Sequence, residues 1–399
     1  MIQGSALLRR LRFPVYLLVD LALLVPLLVS ALLSRLAIRP YDVGLGPEPL
    51  VNHVHHKRAL EQWHYRVRTF VNHTYHVTDN FDWKLQFPPG LNYLTQPLLF
   101  VAACWRFRCL YFSFRGGPLG ATVLLWRLEP FLYGLAGVKT VVMPYGSDVQ
   151  NPVHTPNLLL RNAIAHDYPL HRHGRRRIAA QIDLWTRRAD HVIAGCDWVD
   201  YLYHWDTLLL AHFSIDTDEW KPAVAPVSAR PGHPLRVLHA PNHRMIKGTA
   251  HFVRAVEELR QEGVAIDLVI AERVPNERIQ ELIAQCDVVA DQLVIGWYAL
   301  FALEGMALEK PVLCYIRPDL RRFYIDAGLL AEDELPIVDC SIRSVKDTLR
   351  RLVLARDTLP ALGRRGREFV LRHHSLEAIG ATFDRINRSL SLAPPGDGA

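Results

Sequence analysis

Cysteine is scarce in this chain of 399 residues, and the cysteines present lack the spacing of metal or redox sites. No CxxC pair occurs, which argues against a zinc ribbon or a thioredoxin-like dithiol. The six cysteines lie mostly in apolar, strand-like stretches: Cys104, Cys109, Cys196, Cys286, Cys314 and Cys340. We therefore expect them to be reduced, buried small hydrophobic residues, as in a cytosolic protein.

The chain also lacks a large excess of charge of one sign. Its formal net charge is +6 and its isoelectric point is near 9.0, which is only mildly basic for this length. The basic residues are spread out, without aromatic residues between them on a repeating frame, so a nucleic-acid-binding protein is disfavoured. The charge balance fits anionic small-molecule ligands and anionic membrane surfaces better.

Neither a metal centre nor a hydrolytic pair of carboxylates stands out. Histidines crowd residues 53–76, but the close pairs, His53-x-His55 and His171-x-His173, have no carboxylate partner at a metal-ligand spacing. We expect both pairs to lie on the surface of a helix or loop, and we expect no metal cofactor. A hydrolase is disfavoured because no carboxylates are spaced for acid/base hydrolysis.

One long apolar run does occur, close to the N-terminus. Residues 13–33 carry a single charge, Asp20, and as a helix they would span about 31 Å, close to a bilayer core. Arginines lie on both sides of this run: Arg9, Arg10, Arg12, Arg35 and Arg39. A signal peptide fits less well, because the run is long and no small-residue cleavage site follows it.

The orientation of this run is not set by the positive-inside rule, since positive charge lies at both ends. A core helix is another alternative, and Pro26 could kink or break the segment. We expect a monotopic or re-entrant anchor with both flanks in the cytosol, in preference to a simple spanning helix. This hypothesis places the protein on the cytoplasmic face of the cell membrane.

The rest of the chain has the pattern of an α/β protein with two domains. A length of 399 residues suits two domains of ordinary size, each with a full core. Strand-like apolar runs alternate with helical stretches, which is typical of parallel sheets covered by helices. No internal repeat has the period of a solenoid or propeller.

A first motif, HAPNHRMIKGTAHFVRAVEEL, occupies residues 239–259. It places Arg244 and Lys247 on a glycine-containing loop that leaves a predicted strand and enters a predicted helix. Two cations beside the free N–H groups of a helix start form a site for a phosphate-bearing ligand. The alternative is a strand-to-helix turn with two solvated basic residues.

A second motif follows at residues 287–316, DVVADQLVIGWYALFALEGMALEKPVLCYI. A β-branched run gives way to a short loop, then to a helix that carries Glu304, and then to another apolar strand. Gly305 is next to Glu304 and would allow the helix to approach its neighbours closely. The motif therefore predicts a strand–loop–helix–strand unit with a carboxylate in the helix.

Together the two motifs resemble the C-terminal half of GT-B glycosyltransferases, in particular the retaining group 1, or family 4-like, enzymes that use nucleotide-sugars. The resemblance implies that Arg244 and Lys247 hold the donor diphosphate and that Glu304 binds the donor ribose. It also implies that backbone N–H groups bind the phosphates in a loop formed by Gly296, Trp297, Tyr298 and Ala299. The sequence departs from the group where Gly296 replaces the first of two glutamates that are usually separated by seven residues.

Further contacts with the nucleotide-sugar donor are predicted in the residues that follow the run VAIDLVI. Glu272 and Arg273 fall at the C-terminal end of this predicted strand, where ligands of open α/β sheets bind. By resemblance, Val274 packs on the nucleotide base.

The N-terminal half offers weaker signals. A Gly-Leu-Gly sequence ends at Gly46, but the third glycine of a dinucleotide fingerprint is absent. By resemblance, Gly46 passes near the donor phosphates; Glu48 either reaches an acceptor hydroxyl or caps the next helix. Asp148 either orients the acceptor or donor sugar or serves as an N-cap, in a Tyr-Gly-Ser-Asp sequence where many relatives have His in place of Tyr145.

The resemblance also suggests domain boundaries. We expect an anchor at 1–40, an acceptor-side Rossmann-like domain at 41–212 and a linker at 213–234, whose Ile215, Asp216, Trp220 and Pro222 match an interdomain motif. A nucleotide-sugar-binding domain at 235–372, a closing helix at 373–390 and a disordered tail at 391–399 would follow.

The function implied is transfer of a sugar from a nucleotide-sugar donor, with retention, to a lipid-linked or envelope glycan. Expected partners are the donor, the acceptor and the membrane, without nucleic acid. Three alternatives stay open: a nucleotide-sugar epimerase, a non-catalytic GT-B scaffold of a polysaccharide assembly system, and a lipid-carrier-binding structural protein without donor affinity.

Overall fold

The structure, a computed structural model, describes residues 6–74, 80–88, 91–222 and 233–395, without the side chains of 6–12, 276 and 277. The Pro- and Ala-rich segment 223–232 and the last four residues of the expected tail lie outside the described residues.

The first half of the chain forms a parallel sheet flanked by helices. Its strands are β1 (Tyr41–Leu45), β2 (Val67–Val71), β3 (Trp83–Lys84), β4 (Phe107–Phe112), β5 (Lys139–Val142), β6 (His191–Ala194) and β7 (Thr207–Leu208). Its helices are α1 (Ala6–Ser34), α2 (Val51–Gln62), α3 (Thr95–Arg106), α4 (Glu129–Ala136), α5 (Leu158–Asp167) and α6 (Arg175–Arg188).

This sheet has the order β3-β2-β1-β4-β5-β6-β7, and every pairing in it is parallel. Val43 of β1 is in register with Val67 on one side and Cys109 on the other, and all three side chains are fully buried. Because helices cover both faces, the central strands are apolar runs without alternation.

The second half repeats this plan with a smaller sheet. Its strands are β8 (Leu235–His239), β9 (Ile266–Ile270), β10 (Val288–Ala290), β11 (Val312–Cys314) and β12 (Ile337–Asp339). The order is β12-β11-β10-β8-β9, again parallel throughout. The helices are α7 (Arg244–Lys247), α8 (Thr249–Gln261), α9 (Asn276–Ala284), α10 (Leu300–Ala307), α11 (Pro318–Asp326), α12 (Val345–Leu354), α13 (Leu359–His373) and α14 (Leu376–Ser389).

The chain crosses between the halves twice, and the two crossings lie side by side. Ile215 forms a parallel bridge with Ser375, and the Ile215 N–H donates to the His374 carbonyl at 2.9 Å. After the second crossing, α14 packs on α2 of the first half. Leu392, inside the segment expected to be a disordered tail, is buried there, and its carbonyl accepts from the Tyr65 hydroxyl.

The N-terminal helix α1 is unbroken, although it contains Pro14 and Pro26. Of the two effects considered for Pro26, a kink or a break, the break is absent, and α1 has no turn of the kind that a re-entrant segment needs. Within the described residues, one stretch, Phe13–Ser34, is long and apolar enough to cross a membrane, and 22% of its apolar window is buried. That buried part packs against α3 and α4.

The burial of the cysteines agrees with the expectation from the sequence, whereas the burial of His53 and His55 does not. All six cysteines are unpaired and buried, which confirms the interpretation of them as core residues. The expectation of a surface position for His53 and His55 is wrong, because both are buried in α2. The sequence of α2, with histidines beside both apolar and charged residues, does not show which of its side chains become buried.

Candidate active site

Lys247 lies in the second half, beside the C-terminal ends of its strands. Its ammonium is 2.5 Å from Asp291 Oδ1, and both side chains are almost fully buried. The second Asp291 oxygen accepts the N–H of Ala299 at 3.3 Å, at the start of α10. One buried carboxylate thus joins the cationic loop of the first motif to the helix start of the second.

His239, the last residue of β8, connects the strand and the helix next to this pair. Its ring contacts the Ala290 carbonyl and the Thr249 hydroxyl, at 2.8 and 3.0 Å. Burial lowers the pKa of His239 to about 4, so it is neutral at physiological pH. A neutral ring adds no positive charge next to Lys247.

Arg244 is exposed and is held in an extended position by Glu272. The guanidinium donates two hydrogen bonds to this carboxylate, at 2.7 and 2.9 Å. The Arg244 side chain lowers the pKa of Glu272 through this hydrogen bond. Glu272 is at the end of β9, as the sequence indicated, and Val274 two residues later is partly buried against the core.

A segment of the first half reaches over this cationic loop. The Asp167 carboxylate, at the end of α5, accepts the N–H groups of Met245 and Ile246, both at 3.1 Å. The Tyr168 ring packs on His243 at 4.5 Å between centroids. The two halves therefore meet directly at the candidate phosphate loop.

The loop before α10 is organised by the buried side chain of Gln292. Its Oε1 accepts the N–H groups of Val294 and Ile295, at 2.8 and 2.7 Å. Its amide group donates to the carbonyls of Trp297 and Tyr315, at 3.0 and 2.8 Å. One amide thus fixes the loop that offers backbone groups at the start of α10.

Gly296 occupies this loop at φ +97°, in the left-handed region that favours glycine. A Cβ added there would lie 2.5 Å from Cγ and 2.6 Å from Cδ of Arg317. Arg317 crosses over the glycine to form an ion pair with Asp200 of the first half. The absence of a glutamate at 296 therefore has a steric cause: an arginine that joins the two domains occupies the space.

The side chains of Trp297 and Tyr298 point away from the cleft and are buried. Trp297 Nε1 donates to the Leu210 carbonyl at 2.9 Å, and the Tyr298 hydroxyl contacts His374 Nε2 at 2.9 Å. Both contacts attach the loop to the two interdomain crossings. The side chains of Trp297 and Tyr298 are therefore not available to a ligand, and the N–H of Ala299 already donates to Asp291.

Glu304 lies in the second turn of α10 and is 4% exposed. Its neighbour Gly305 brings the helix onto the sheet, since a Cβ there would be 3.0 Å from Val289 Cγ2 and 3.1 Å from Val312 Cγ2. The close approach predicted at Gly305 is thus present, and it fixes the helix that carries Glu304.

In the first half, Glu48 faces Arg115 across the ends of β1 and β4. Glu48 Oε1 is 3.4 Å from Arg115 Nη1, and the Arg115 guanidinium lies 6.0 Å from the centre of the Tyr145 ring. Gly46 lies just before this group, and a Cβ there would be 2.1 Å from the Phe70 carbonyl oxygen. Glycine is therefore required at 46 by backbone packing.

Asp148 is buried beneath the same group and uses both oxygens. They accept the N–H groups of Phe114, Tyr145 and Gly146, at 3.0, 3.0 and 2.9 Å. Burial raises the pKa of Asp148 to about 6, although these hydrogen bonds oppose the shift. Its geometry is that of a residue that positions the loops around Glu48 and Arg115.

Solved structures with the same architecture supply the comparison. Sucrose-phosphate synthase from Thermosynechococcus elongatus has a TM-score of 0.59 at 14% identity, covering 88% of this chain and 99% of that one. HepE from Anabaena, in complex with UDP and glucose, has a TM-score of 0.57 at 13% identity, with the same coverage of both chains. The chain has the GT-B fold.

WaaG, a glycosyltransferase involved in lipopolysaccharide biosynthesis, extends the comparison with a TM-score of 0.53 at 13% identity, over 86% of this chain and 99% of its own. No family model matches the sequence, and no curated protein matches it. The predicted fold, two Rossmann-like domains that face a cleft, is confirmed by these neighbours and by the two parallel sheets.

Sequence reasoning missed several residues of this GT-B cleft: Asp291, Gln292, Arg115 and Arg317. Asp291 and Gln292 directly follow β10, and polar residues at the C-terminal end of a parallel strand are a recognisable signal. Arg115 and Arg317 follow β4 and β11 in the same way. Among the described side chains, no three His, Cys, Asp or Glu residues are grouped as a metal site requires.

Proposed function

We propose that this protein is a membrane-associated glycosyltransferase that transfers a sugar from a nucleotide-sugar donor to a lipid-linked or envelope glycan, with retention of configuration. The observation that carries the proposal is that Lys247 and the start of α10 share the Asp291 carboxylate at the ends of β8 and β10. Arg244, on the same loop as Lys247, is exposed beside Glu272, which follows β9. Ligands of α/β sheets bind at this edge.

The donor diphosphate is proposed to bind between these groups. Lys247 has three N–H donors, and Asp291 accepts from this ammonium in the structure. Arg244 is exposed and can turn from Glu272 toward a phosphate, which also accepts a bidentate hydrogen bond. HepE, solved with UDP-glucose, supports this class of donor.

The chemistry follows from where charge develops. Breaking the bond between sugar and phosphate leaves extra negative charge on the diphosphate, which Arg244, Lys247 and backbone N–H groups would stabilise. Removing one such donor typically costs about 3–4 kcal/mol of barrier. Glu48 is the proposed contact of the acceptor hydroxyl, and Asp148 holds the loops around it.

Retention rests on resemblance to the group, in which the leaving diphosphate stays on the side of the incoming hydroxyl. The acceptor class rests on the N-terminal apolar helix and on the likeness to WaaG. A non-catalytic scaffold is the second candidate, because both assigned cations are already paired with carboxylates and Gly296 lacks the first glutamate.

The test is a thermal-shift panel with UDP-, GDP-, ADP- and dTDP-sugars on the full chain in detergent. The full chain is needed because α1 contributes buried residues to the core. A ligand at a hundred times its dissociation constant adds about 2.7 kcal/mol to the free energy of unfolding. We expect one nucleotide class to stabilise the wild type.

Arg244→Gln is the site variant, and Arg236→Gln is its matched control. Both arginines are exposed, but Arg236 lies within β8 near its N-terminal end, where its backbone N–H donates to Asp287, whereas Arg244 follows the other end of this strand. Stabilisation lost in the first variant and kept in the second supports the donor site. No shift with any donor refutes it and favours the scaffold, and an epimerised donor without acceptor would indicate an epimerase.

A further inference from the structure

The inner face of α1 is built into the protein. Asp20, its single charge between residues 13 and 33, is fully buried and accepts the Tyr93 hydroxyl at 2.7 Å and the Leu124 N–H at 2.6 Å. Tyr16 stacks on Tyr93 at 4.0 Å between ring centroids. Two turns beyond Asp20, Leu27 belongs to the main core.

The C-terminal end of α1 is fixed as well. Ser30 Oγ accepts from Trp105 Nε1 of α3 at 3.0 Å. Arg39, five residues after the helix, donates to the carbonyls of Cys104, Ala136 and Gly137, at the ends of α3 and α4. About 21 Å of helix, from Asp20 to Ser34, therefore lies along the domain.

The outer face of α1 is apolar and uncovered. At helical spacing it presents Val15, Leu18, Leu21, Val25, Val29 and Leu32, each at least half exposed. The neighbouring helix α3 and the turn before it add Leu91, Leu94, Leu98 and Trp105, again three, four and seven residues apart. We call these two parallel stripes the apolar face.

The edges of the apolar face are cationic. Arg35 follows α1 directly, Arg106 follows Trp105, and both are exposed. The sequence adds Arg9, Arg10 and Arg12 before the apolar run. An apolar surface bordered by arginines and with a tryptophan at its margin complements anionic headgroups above an acyl layer.

We propose that the apolar face docks the protein onto one leaflet of an anionic bilayer, with α1 lying in the plane of the membrane and not across it. A spanning α1 would have to leave the domain and carry Asp20 into lipid without its partners, Tyr93 and Leu124. In the docked arrangement every inner contact is kept, and both stripes enter the acyl boundary together.

Docking in this way also connects the membrane to the cleft. The loop that donates Leu124 N–H to Asp20 begins at Arg115, the partner of Glu48. Resting on the proposed function, this places a lipid-linked acceptor at the entrance of the cleft, with its lipid portion still in the leaflet.

The first experiment measures depth in vesicles of phosphatidylglycerol and phosphatidylcholine. All six native cysteines are buried, so Val15→Cys, Val25→Cys and Leu32→Cys can each be labelled selectively with a fluorophore. Leu159→Cys, exposed on α5, is the control that stays in water. Quenching by lipids with nitroxides at known positions should give one shallow depth for all three labels. A maximum depth at Val25 with shallow ends would overturn the proposal.

The second experiment tests whether α3 takes part. Leu98→Asp alters the apolar face outside α1, and Leu159→Asp is the matched control, since both leucines are exposed. We expect Leu98→Asp to lower vesicle partitioning about tenfold and to make it more salt-sensitive, with the control unchanged. Equal partitioning of both variants would refute the composite face.

A second copy of this chain is the competing occupant of the apolar face. Sedimentation in the absence of lipid that shows a dimer, disrupted by Leu98→Asp, together with no binding of the wild type to vesicles, would overturn the proposal. Neither experiment contains a donor. A vesicle-bound protein that transfers no sugar would refute the proposed sugar transfer and leave the docking face standing. A protein that transfers sugar but does not bind vesicles would refute the docking face and the membrane association, and would leave the sugar transfer standing.

Discussion

The two halves, which we propose to be the donor side (the second half) and the acceptor side (the first half), hold their charged groups in different ways. On the donor side, Lys247 and Arg244 each meet a carboxylate, so their charges are balanced in pairs. On the acceptor side, Asp148 is balanced by backbone N–H groups, and burial raises its pKa to about 6. A paired cation can exchange its partner for a phosphate, whereas a carboxylate bonded to the backbone keeps the loops in place. The donor half thus presents exchangeable groups on a cleft that the acceptor half makes rigid.

The largest expected effect comes from Lys247→Met, which breaks the buried pair. The Asp291 carboxylate would stay in the core without its counter-ion, and breaking a buried pair typically costs about 3–5 kcal/mol. We also expect sugar transfer to fall by at least about a hundredfold, because a donor to the diphosphate is lost. Urea unfolding and turnover measure the two effects separately.

A double variant separates stability from chemistry. Lys247→Met with Asp291→Asn removes the uncompensated charge, so the free energy of unfolding should recover while transfer stays low. If the double variant were as unstable as the single one, the pairing of charges on the donor side would not be the source of the stability.

The next effect concerns Gly296, where the donor loop meets the acceptor half through Arg317. Gly296→Ala combines a positive φ, which costs about 1–3 kcal/mol, with a clash against Arg317. Gly328→Ala is the matched control, because its φ is +72° and nothing lies within 4 Å of the added Cβ. We expect a lower melting temperature for Gly296→Ala than for the control. Equal temperatures would mean that Arg317 moves aside freely.

The donor half could be predicted from the sequence because its parts are close together in the chain. The strand β8, the two cations and the start of α10 all lie within residues 235–307. The cations follow the end of β8, and the start of α10 follows the end of β10. Gly305 was expected to allow close approach, and it does. What the sequence could not supply was the pairing of Lys247 with Asp291, since residues 44 positions apart are joined only by the order of β8 and β10 in the sheet.

The acceptor half was harder to predict because its contacts are long-range. Glu48 meets Arg115 from another strand, and Asp20 meets Leu124 across 104 residues. The helix α14 arrives from the far end of the chain to pack on α2, where the Phe383 ring lies 5.1 Å from the ring of His56. Local patterns contain no information on such partners, so the helix α1 was recognised but its attachment was not.

A smaller effect tests that attachment. Asp20→Ala leaves the Tyr93 hydroxyl and the Leu124 N–H without their acceptor, which costs about 1–3 kcal/mol per buried group. Asp20→Asn keeps one oxygen and should lose less. Unfolding in detergent measures both variants. If Asp20→Ala were as stable as the wild type, α1 would not be bonded to the acceptor half, and the comparison between a rigid half and an exchangeable one would fail.

The effect that is smallest near neutral pH is a pH dependence that belongs mainly to the acceptor half. Burial lowers the pKa of His53 to about 4 and that of His212 to about 3, and it lowers the pKa of His56 well below its usual value. The unfolded chain therefore binds protons that the folded chain does not. Stability is complete above pH 6.5 and is lost as the pH falls below that value, by up to about 1.4 kcal/mol per pH unit for each histidine.

His56→Gln isolates one of these groups. Its ring nitrogen donates to the His212 carbonyl at 2.7 Å, and glutamine can supply a donor without titrating. Between pH 6.5 and 4 the free energy of unfolding should fall less steeply in this variant than in the wild type. His173→Gln, which alters an exposed histidine, should leave the slope unchanged. Equal slopes in all three proteins would show that His56 becomes protonated without unfolding, and that its burial does not couple its protonation to stability.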